Sequence, residues 1–284
     1  MGSGIAKPVP FPAFRGGVPV LLYHGLSESA NGIDTPPGVF DAEMQRLRDL
    51  GFETITLERY LRFMRGERVA LPPRPVLITF DDGLLSSWEN ADPVLSRYGW
   101  SAVMYLPTGN VGRPGRLSWQ QLEQMQGSGR WQIDEHAGDG HVLVPINSAA
   151  RPGPFYADEL WLDGHQESFA HYERRVSGDI RLGAALIAKH LPGTVHDTFA
   201  VPFGDYGQRG ANDPRIEPWL TRYLKQRFAV SFIQHDDSFT TPGQLFANRI
   251  TMSSDSTPGV LEVRLRDGLA QLAGRQMAGS AKTR

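Results

Sequence analysis

Three short stretches of the 284-residue chain hold the side chains best suited to chemistry. The first, "VLITFDDG", places Asp81 beside Asp82 at the end of an apolar run. Adjacent carboxylates raise the cost of ionising each other, and at a strand mouth both need desolvating. A division of labour would justify that cost, with one Asp on a metal and the other handling a proton. The second stretch, "HAGDGH", offers His136 and His141 in a glycine-rich loop. The third, "VPFGDYG", covers residues 201–207. One Asp and two His supply three protein ligands for a divalent ion, and a catalytic zinc keeps a further position open for water. Gly138 and Gly140 are expected to give the loop the backbone angles that turn both rings inward.

Each stretch ends a strand-like run: "PVLITF" (75–80), "WQIDEH" (131–136) and "TFAVPF" (198–203). Further strands are expected in "VPVLLYHGL" (18–26), "FETITL" (52–57), "SAVMYLP" (101–107), "RFAVSFI" (227–233) and "ANRIT" (247–251). Between them lie helical signals. Phe40, Met44 and Leu47 share a face before a stop at Gly51, and residues 57–66 and "ADPVLSRYG" also read as helical. Ser118 and Gln121 form a capping box for a helix from 119 to about 126. Val176, Ile180, Ile187 and Leu191 mark an amphipathic helix, and 258–278 a last Leu-rich one. Residues 142–166 read as an irregular insertion. The alternation predicts a parallel α/β sheet with helices outside, open or closed into a barrel. In such folds chemistry gathers at the C-terminal ends of strands.

The length fits a single domain over 18–278, preceded by a Pro- and Gly-rich arm at 1–17 whose opening "MGSG" reads as an expression-tag remnant. Without cysteine, disulfides and thiolate metal sites are excluded. A net charge of −2 argues against nucleic acid as the main partner. No apolar run reaches transmembrane length, and the start lacks the apolar core of a signal peptide.

"TFDDG" resembles the first motif of polysaccharide deacetylases of the NodB-homology type, carbohydrate esterase family four. "YHGL" (23–26) resembles the first strand of the subgroup acting on poly-N-acetylglucosamine. The resemblance spans roughly 18–251 and implies a distorted (β/α) barrel. It implies Asp81 as catalytic base and Asp82, His136 and His141 as metal ligands, with zinc the default and cobalt or nickel able to occupy the same site. The family's histidine motif has three intervening residues and a following Pro. Here four residues intervene and no Pro follows, which leaves Asp139 open as a substitute ligand. "AVPFG" matches the third motif at Pro202 and Phe203, but Ala200 stands where an Arg is expected. That Arg, which orients the catalytic Asp, is therefore absent or comes from elsewhere. No C-terminal histidine supplies the family's general acid. His24, His165, His171 and His235 are the candidates, with His24 foremost because it follows an apolar strand; His190 and His196 read as structural.

The implied reaction is hydrolysis of N-acetyl groups on amino sugars of an extracellular or cell-surface polysaccharide. A metal would polarise the carbonyl and acidify a water, Asp81 would take its proton, and a backbone N–H near Phe203 would help hold the oxyanion. Asp205 could support a ligand or a sugar hydroxyl. Tyr206, Trp119, Trp131, Phe155, Tyr156 and Trp161 are available to stack on sugar rings. Three rivals remain: a small cyclic amide or imide hydrolase on the same scaffold, a sugar-binding module that has lost catalysis, and a two-acid glycosidase. The last is disfavoured because its carboxylates belong on different strands.

Overall fold

The computed structural model describes residues 11–29, 31–194 and 196–282. The chain runs through β1 (Val20–Tyr23), α1 (Pro37–Asp49), β2 (Glu53–Thr54), α2 (Leu57–Met64), β3 (Pro75–Asp81), α3 (Leu85–Tyr98), β4 (Ala102–Pro107), α4 (Trp119–Gly127) and β5 (Trp131–Ala137). Four short strands follow: β6 (Leu143–Pro145), β7 (Pro152–Pro154), β8 (Trp161–Leu162) and β9 (His165–Gln166). The rest is α5 (Phe169–His190), β10 (Thr198–Ala200), α6 (Ile216–Arg227), β11 (Val230–Ile233), β12 (Phe246–Asn248), β13 (Ile250–Thr251) and α7 (Pro258–Lys282).

The main sheet has the order β12-β11-β10-β5-β4-β3-β1-β13, with β2 added on β3. Every pairing in it is parallel. Its two ends belong to one segment. Asn248 pairs with Ile233 of β11, Ile250 pairs with Leu21 of β1, and Arg249 alone separates them. The sheet is thus a nearly closed barrel, broken at Arg249. "ANRIT" is not one strand but two, each serving a different neighbour.

Strand periodicity sorts the side chains into two populations. Leu77, Val103, Tyr105, Ala200, Phe232 and Ala247 form the interior cluster. Ile78, Phe80, Met104 and Ile133 face the outer helices instead. Tyr60 of α2 stacks on Phe232 at 5.7 Å, so α2 fills the lower mouth of the barrel. The same alternation carries Asp81, His136 and Arg249 inward at the upper end.

Several expectations need correction. Residues 11–17 are not a free arm. Phe11 packs on Phe52 at 4.9 Å and Phe14 on Phe239 at 5.2 Å. Residues 1–10, with the tag-like start, lie outside the described residues. The 142–166 insertion is not irregular throughout, because it folds into two antiparallel hairpins, β6–β7 and β8–β9. "TFAVPF" ends as a strand at Ala200, and Pro202 opens a 3₁₀ turn. Helix α6 buries Ile216, Leu220 and Leu224 at helical spacing. The Ser118–Gln121 capping box is present as expected.

Candidate metal centre and active site

Asp81 is the last residue of β3 and fully buried. The chain then turns sharply: Asp82 has φ 74° and Gly83 φ 61°. Asp tolerates the left-handed region better than most residues. Arg116 Nη1 donates to the Asp82 carbonyl at 2.7 Å, which fixes the turn. The turn separates the two carboxylates: Arg249 pairs with Asp81 alone and His141 lies against Asp82 alone, while His136 Nε2 stands 3.6 Å from Asp81 Oδ2 and 3.7 Å from Asp82 Oδ1.

Asp81 is held by Arg249. Nη1 donates to Oδ1 at 2.7 Å and Nη2 to Oδ2 at 2.6 Å, a two-pronged pair with both side chains out of solvent. The guanidinium lies over the rings of Tyr105 and Phe232, at 5.5 and 5.6 Å. Burial alone would raise the Asp81 carboxyl. Arg249, assisted by His136 and more weakly by His24, outweighs burial and brings it down to about 2. Asp81 is therefore ionised at neutral pH.

Asp82 faces the two histidines. Its Oδ1 lies 3.7 Å from His136 Nε2 and 3.6 Å from His141 Nε2, and it is buried with no hydrogen-bond partner among the described residues. His136, from β5, donates from Nδ1 to the Ala200 carbonyl at 2.6 Å, leaving Nε2 for the centre. Burial lowers its pKa to about 4, so the ring is neutral, as a ligand must be. His141 stacks on Phe203 at 4.6 Å, and Phe203 itself holds a left-handed φ of 58°. The three ligand atoms lie within 4.8 Å of one another. A tetrahedral ion bonded at about 2.0–2.2 Å to each asks for separations of about 3.3–3.6 Å, close to the two Asp82–histidine distances. An orphaned carboxylate oxygen, a neutral imidazole and this spacing together fit a divalent metal.

A cleft of about 400 Å³ opens over this centre, lined among others by His24, Asp82, His136, His141, Phe203 and Arg209. A larger groove of about 840 Å³ lies elsewhere, along residues 13–17 and 69–75, and carries no carboxylate or imidazole. His24 follows β1, and its Nδ1 is buried without a partner among the described residues. The other histidines lie apart from the cleft or outside its lining. His165 sits in β9, His171 pairs with Glu167 at 3.2 Å, His235 is exposed, and His190 stacks on Trp119 at 4.2 Å.

Other expected residues serve the scaffold. Asp139 is exposed and turned towards Gly109, and the candidate triad contains His141 in its place. Pro202 is buried in the 3₁₀ turn, and only its neighbour Phe203 reaches the cleft. Asp205 accepts the Gly207 N–H of its own loop at 2.9 Å, and Tyr206 stacks on Phe246 at 3.9 Å; neither lines the cleft. Trp131 and Tyr156 are buried, Phe155 lies under the Arg175 guanidinium at 4.2 Å, and Trp161 is half-buried in β8. Gly138 and Gly140 lack positive φ, so their role is not backbone freedom.

The sequence motifs do not single out Arg249. Its signal was a charged residue inside a strand-like run, two places after the inward-facing Ala247. From the break between β12 and β13 it makes the contact to Asp81 that the family resemblance assigns to an Arg at position 200.

The polysaccharide deacetylase family model matches residues 68–213, just over half of the chain. The poly-β-1,6-N-acetyl-D-glucosamine N-deacetylase of Escherichia coli (strain K12) is 26% identical over 180 residues, 56% of this chain. The match spans only 26% of that relative's own length. The structure of IcaB from Ammonifex degensii superposes with a TM-score of 0.67 and 27% identity, covering 88% of this chain and 97% of that one. A de-N-acetylase from Aggregatibacter actinomycetemcomitans, at 18% identity, shares the fold with a TM-score of 0.75 over 87% of this chain and 99% of its own. By its family match and its barrel, this chain belongs to the polysaccharide deacetylase family.

Proposed function

We propose that the protein removes N-acetyl groups from an N-acetylglucosamine polymer, as a metal-dependent hydrolase. The observation that carries the reading is the split of the Asp pair, with Asp81 committed to Arg249 and Asp82 to two histidines. Asp82, His136 and His141 would hold the ion, with zinc favoured by the ligand types. A bound divalent ion would supply Lewis-acid polarisation of the acetamide and acidify a water. Asp81 takes the proton from the attacking water. The Phe203 N–H is the proposed donor to the oxyanion of the tetrahedral carbon. His24, on the cleft wall, delivers a proton to the departing nitrogen. The products are acetate and a free amine.

The intact Asp81–Arg249 pair disfavours a retired binding module, because binding alone has no use for a base held ionised beside the ligand Asp. The name of the E. coli relative supports a polymeric amino-sugar substrate, and with it action outside the cell or at its surface. No helix among the described residues is long and apolar enough to cross a membrane.

The test is acetate release from β-1,6-linked N-acetylglucosamine oligomers, using chelated protein and protein given back zinc, cobalt or nickel. Metal-restored acetate release is expected. Stoichiometric metal binding without acetate release from any oligomer would overturn the substrate assignment and favour a small-amide hydrolase.

A further inference from the structure

The loop joining the two histidines is built around a carboxylate from another element. Gly138 N–H donates to Asp179 Oδ2 at 2.9 Å, and the next amide, Asp139 N–H, donates to Oδ1 at 2.7 Å. Asp179 lies on α5 and is only 8% exposed. A third donor, the Tyr156 hydroxyl, also reaches Oδ2. Tyr156 comes from the insertion and is itself buried, and its carbonyl accepts the Tyr172 hydroxyl at 2.7 Å. Successive amides aimed at one point form an anion seat, and hydrogen bonds to an ionised acceptor are the stronger kind.

The glycines of the loop make room for that carboxylate. A Cβ on Gly138 would lie 2.7 Å from the Asp179 carbonyl and 2.8 Å from Oδ1. A Cβ on Gly140 would lie 2.7 Å from Oδ2 and 2.8 Å from the Tyr156 ring. On its other side the loop is tied to Gly109, whose N–H donates to the Gly138 carbonyl at 2.9 Å. The loop has one residue more than the family spacing, and Asp179 holds two consecutive amides in the middle of it.

We infer that Asp179 is a positioning residue for the metal centre: its carboxylate takes up the extra loop residue and so presents His141, and not Asp139, as the second histidine-loop ligand. Tyr156 fixes the carboxylate, which gives the insertion a role as buttress of the centre. The inference rests on reading Asp82, His136 and His141 as the ligand set. His136 is oriented separately, by β5 and the Ala200 carbonyl. The effect of Asp179 therefore passes through His141 alone, and this separates positioning from general support of the fold.

The experiment is a zinc titration of the chelated full chain against a competing chelator, with no substrate present. It compares wild type, Asp179→Asn, His141→Ala and the double variant, and records the melting temperature of each metal-free form. Asp179→Asn is expected to weaken zinc binding by about 10- to 100-fold and to cause no further weakening in the His141→Ala background. Tyr156→Phe should weaken binding in the same direction by less. Unchanged affinity in Asp179→Asn, or an equal loss with and without His141, would overturn the inference. If Asp179→Asn does not fold, Asp179→Glu, which pushes the carboxylate one methylene into the loop, takes its place in the cycle with the same expectation. A wild type that binds no zinc would instead refute the ligand reading itself.

Discussion

Arg249 and Asp81 are both fully buried and joined by two short hydrogen bonds, so neither can lose its partner cheaply. Arg249→Met leaves a carboxylate inside the barrel with no guanidinium. Asp81→Leu leaves a guanidinium over Tyr105 and Phe232 with no counter-charge. Breaking a buried pair from one side costs about 3–5 kcal/mol, whereas replacing both partners by apolar side chains is often neutral or better. The double variant should therefore be more stable than either single one, with a coupling of about 3 kcal/mol or more. For a chain of this length each kcal/mol moves Tm by roughly 2 °C, so either single variant should melt about 6–10 °C early. Urea unfolding of the chelated proteins measures all four states without interference from metal. The reasoning fails if Arg249→Met unfolds within about 1 kcal/mol of wild type, or if the two losses simply add. All three variants should lack deacetylase activity, because the base is gone or no longer held.

Asp81→Asn should retain zinc and lose turnover, while Asp82→Ala should lose both; equal zinc loss, measured by metal content after dialysis, would contradict the division between them. His24→Asn should cut kcat by about 10²- to 10⁴-fold with zinc affinity unchanged, and normal turnover would remove His24 from the proton pathway. Glu43 lies on the buried face of α1 and accepts the Tyr23 hydroxyl at 2.9 Å. Burial pushes its carboxyl up to about 7, against the lowering influence of Tyr23 and Arg264. The folded state keeps a proton that the unfolded chain loses from about pH 4.5 upward, so this site withdraws stability as pH rises from about 4.5 to 7. Glu43→Gln should therefore be the more stable protein at pH 8, by up to about 3 kcal/mol, and indistinguishable near pH 4. Urea midpoints at the two pH values check this, and a parallel offset at both would refute the assignment.

The fold class, and the meeting of Asp82, His136 and His141 in one cluster, were legible because each rests on local pattern. The alternation of Leu77, Thr79 and Asp81 with Ile78 and Phe80 says which side chains face inward, and a parallel barrel gathers strand ends whatever their separation in sequence. The rest depended on contacts between distant residues. Nothing within "HAGDGH" reveals that its amides close on Asp179, 40 residues away. Its glycines invited an explanation by backbone freedom, whereas their role is space. Asp205 and Tyr206 lay beside a matching motif, yet their side chains turn into their own loop and onto Phe246. The aromatic residues of the insertion look like a sugar platform in sequence. In the structure Tyr156 is buried under the metal loop and Phe155 is covered by Arg175.

Arg249 shows how the barrel can place a cation against Asp81 from more than one position. Ala200 and Ala247 both belong to the interior cluster, and Arg249 follows Ala247 by one strand period. A guanidinium from β10 or from the β12–β13 break could thus enter the same enclosed space. What the buried Asp81 carboxylate requires is a cation beside it, and closure allows more than one segment to provide it. Position 200 has not lost its part in the site, because its carbonyl still accepts from His136 Nδ1 and so directs Nε2 towards Asp82. A backbone carbonyl performs that task whatever side chain position 200 carries. The chain changes neighbour at Arg249: its N–H still donates to the Ile233 carbonyl of β11 at 3.0 Å, the next residue pairs with β1, and its side chain neutralises the buried Asp81 carboxylate.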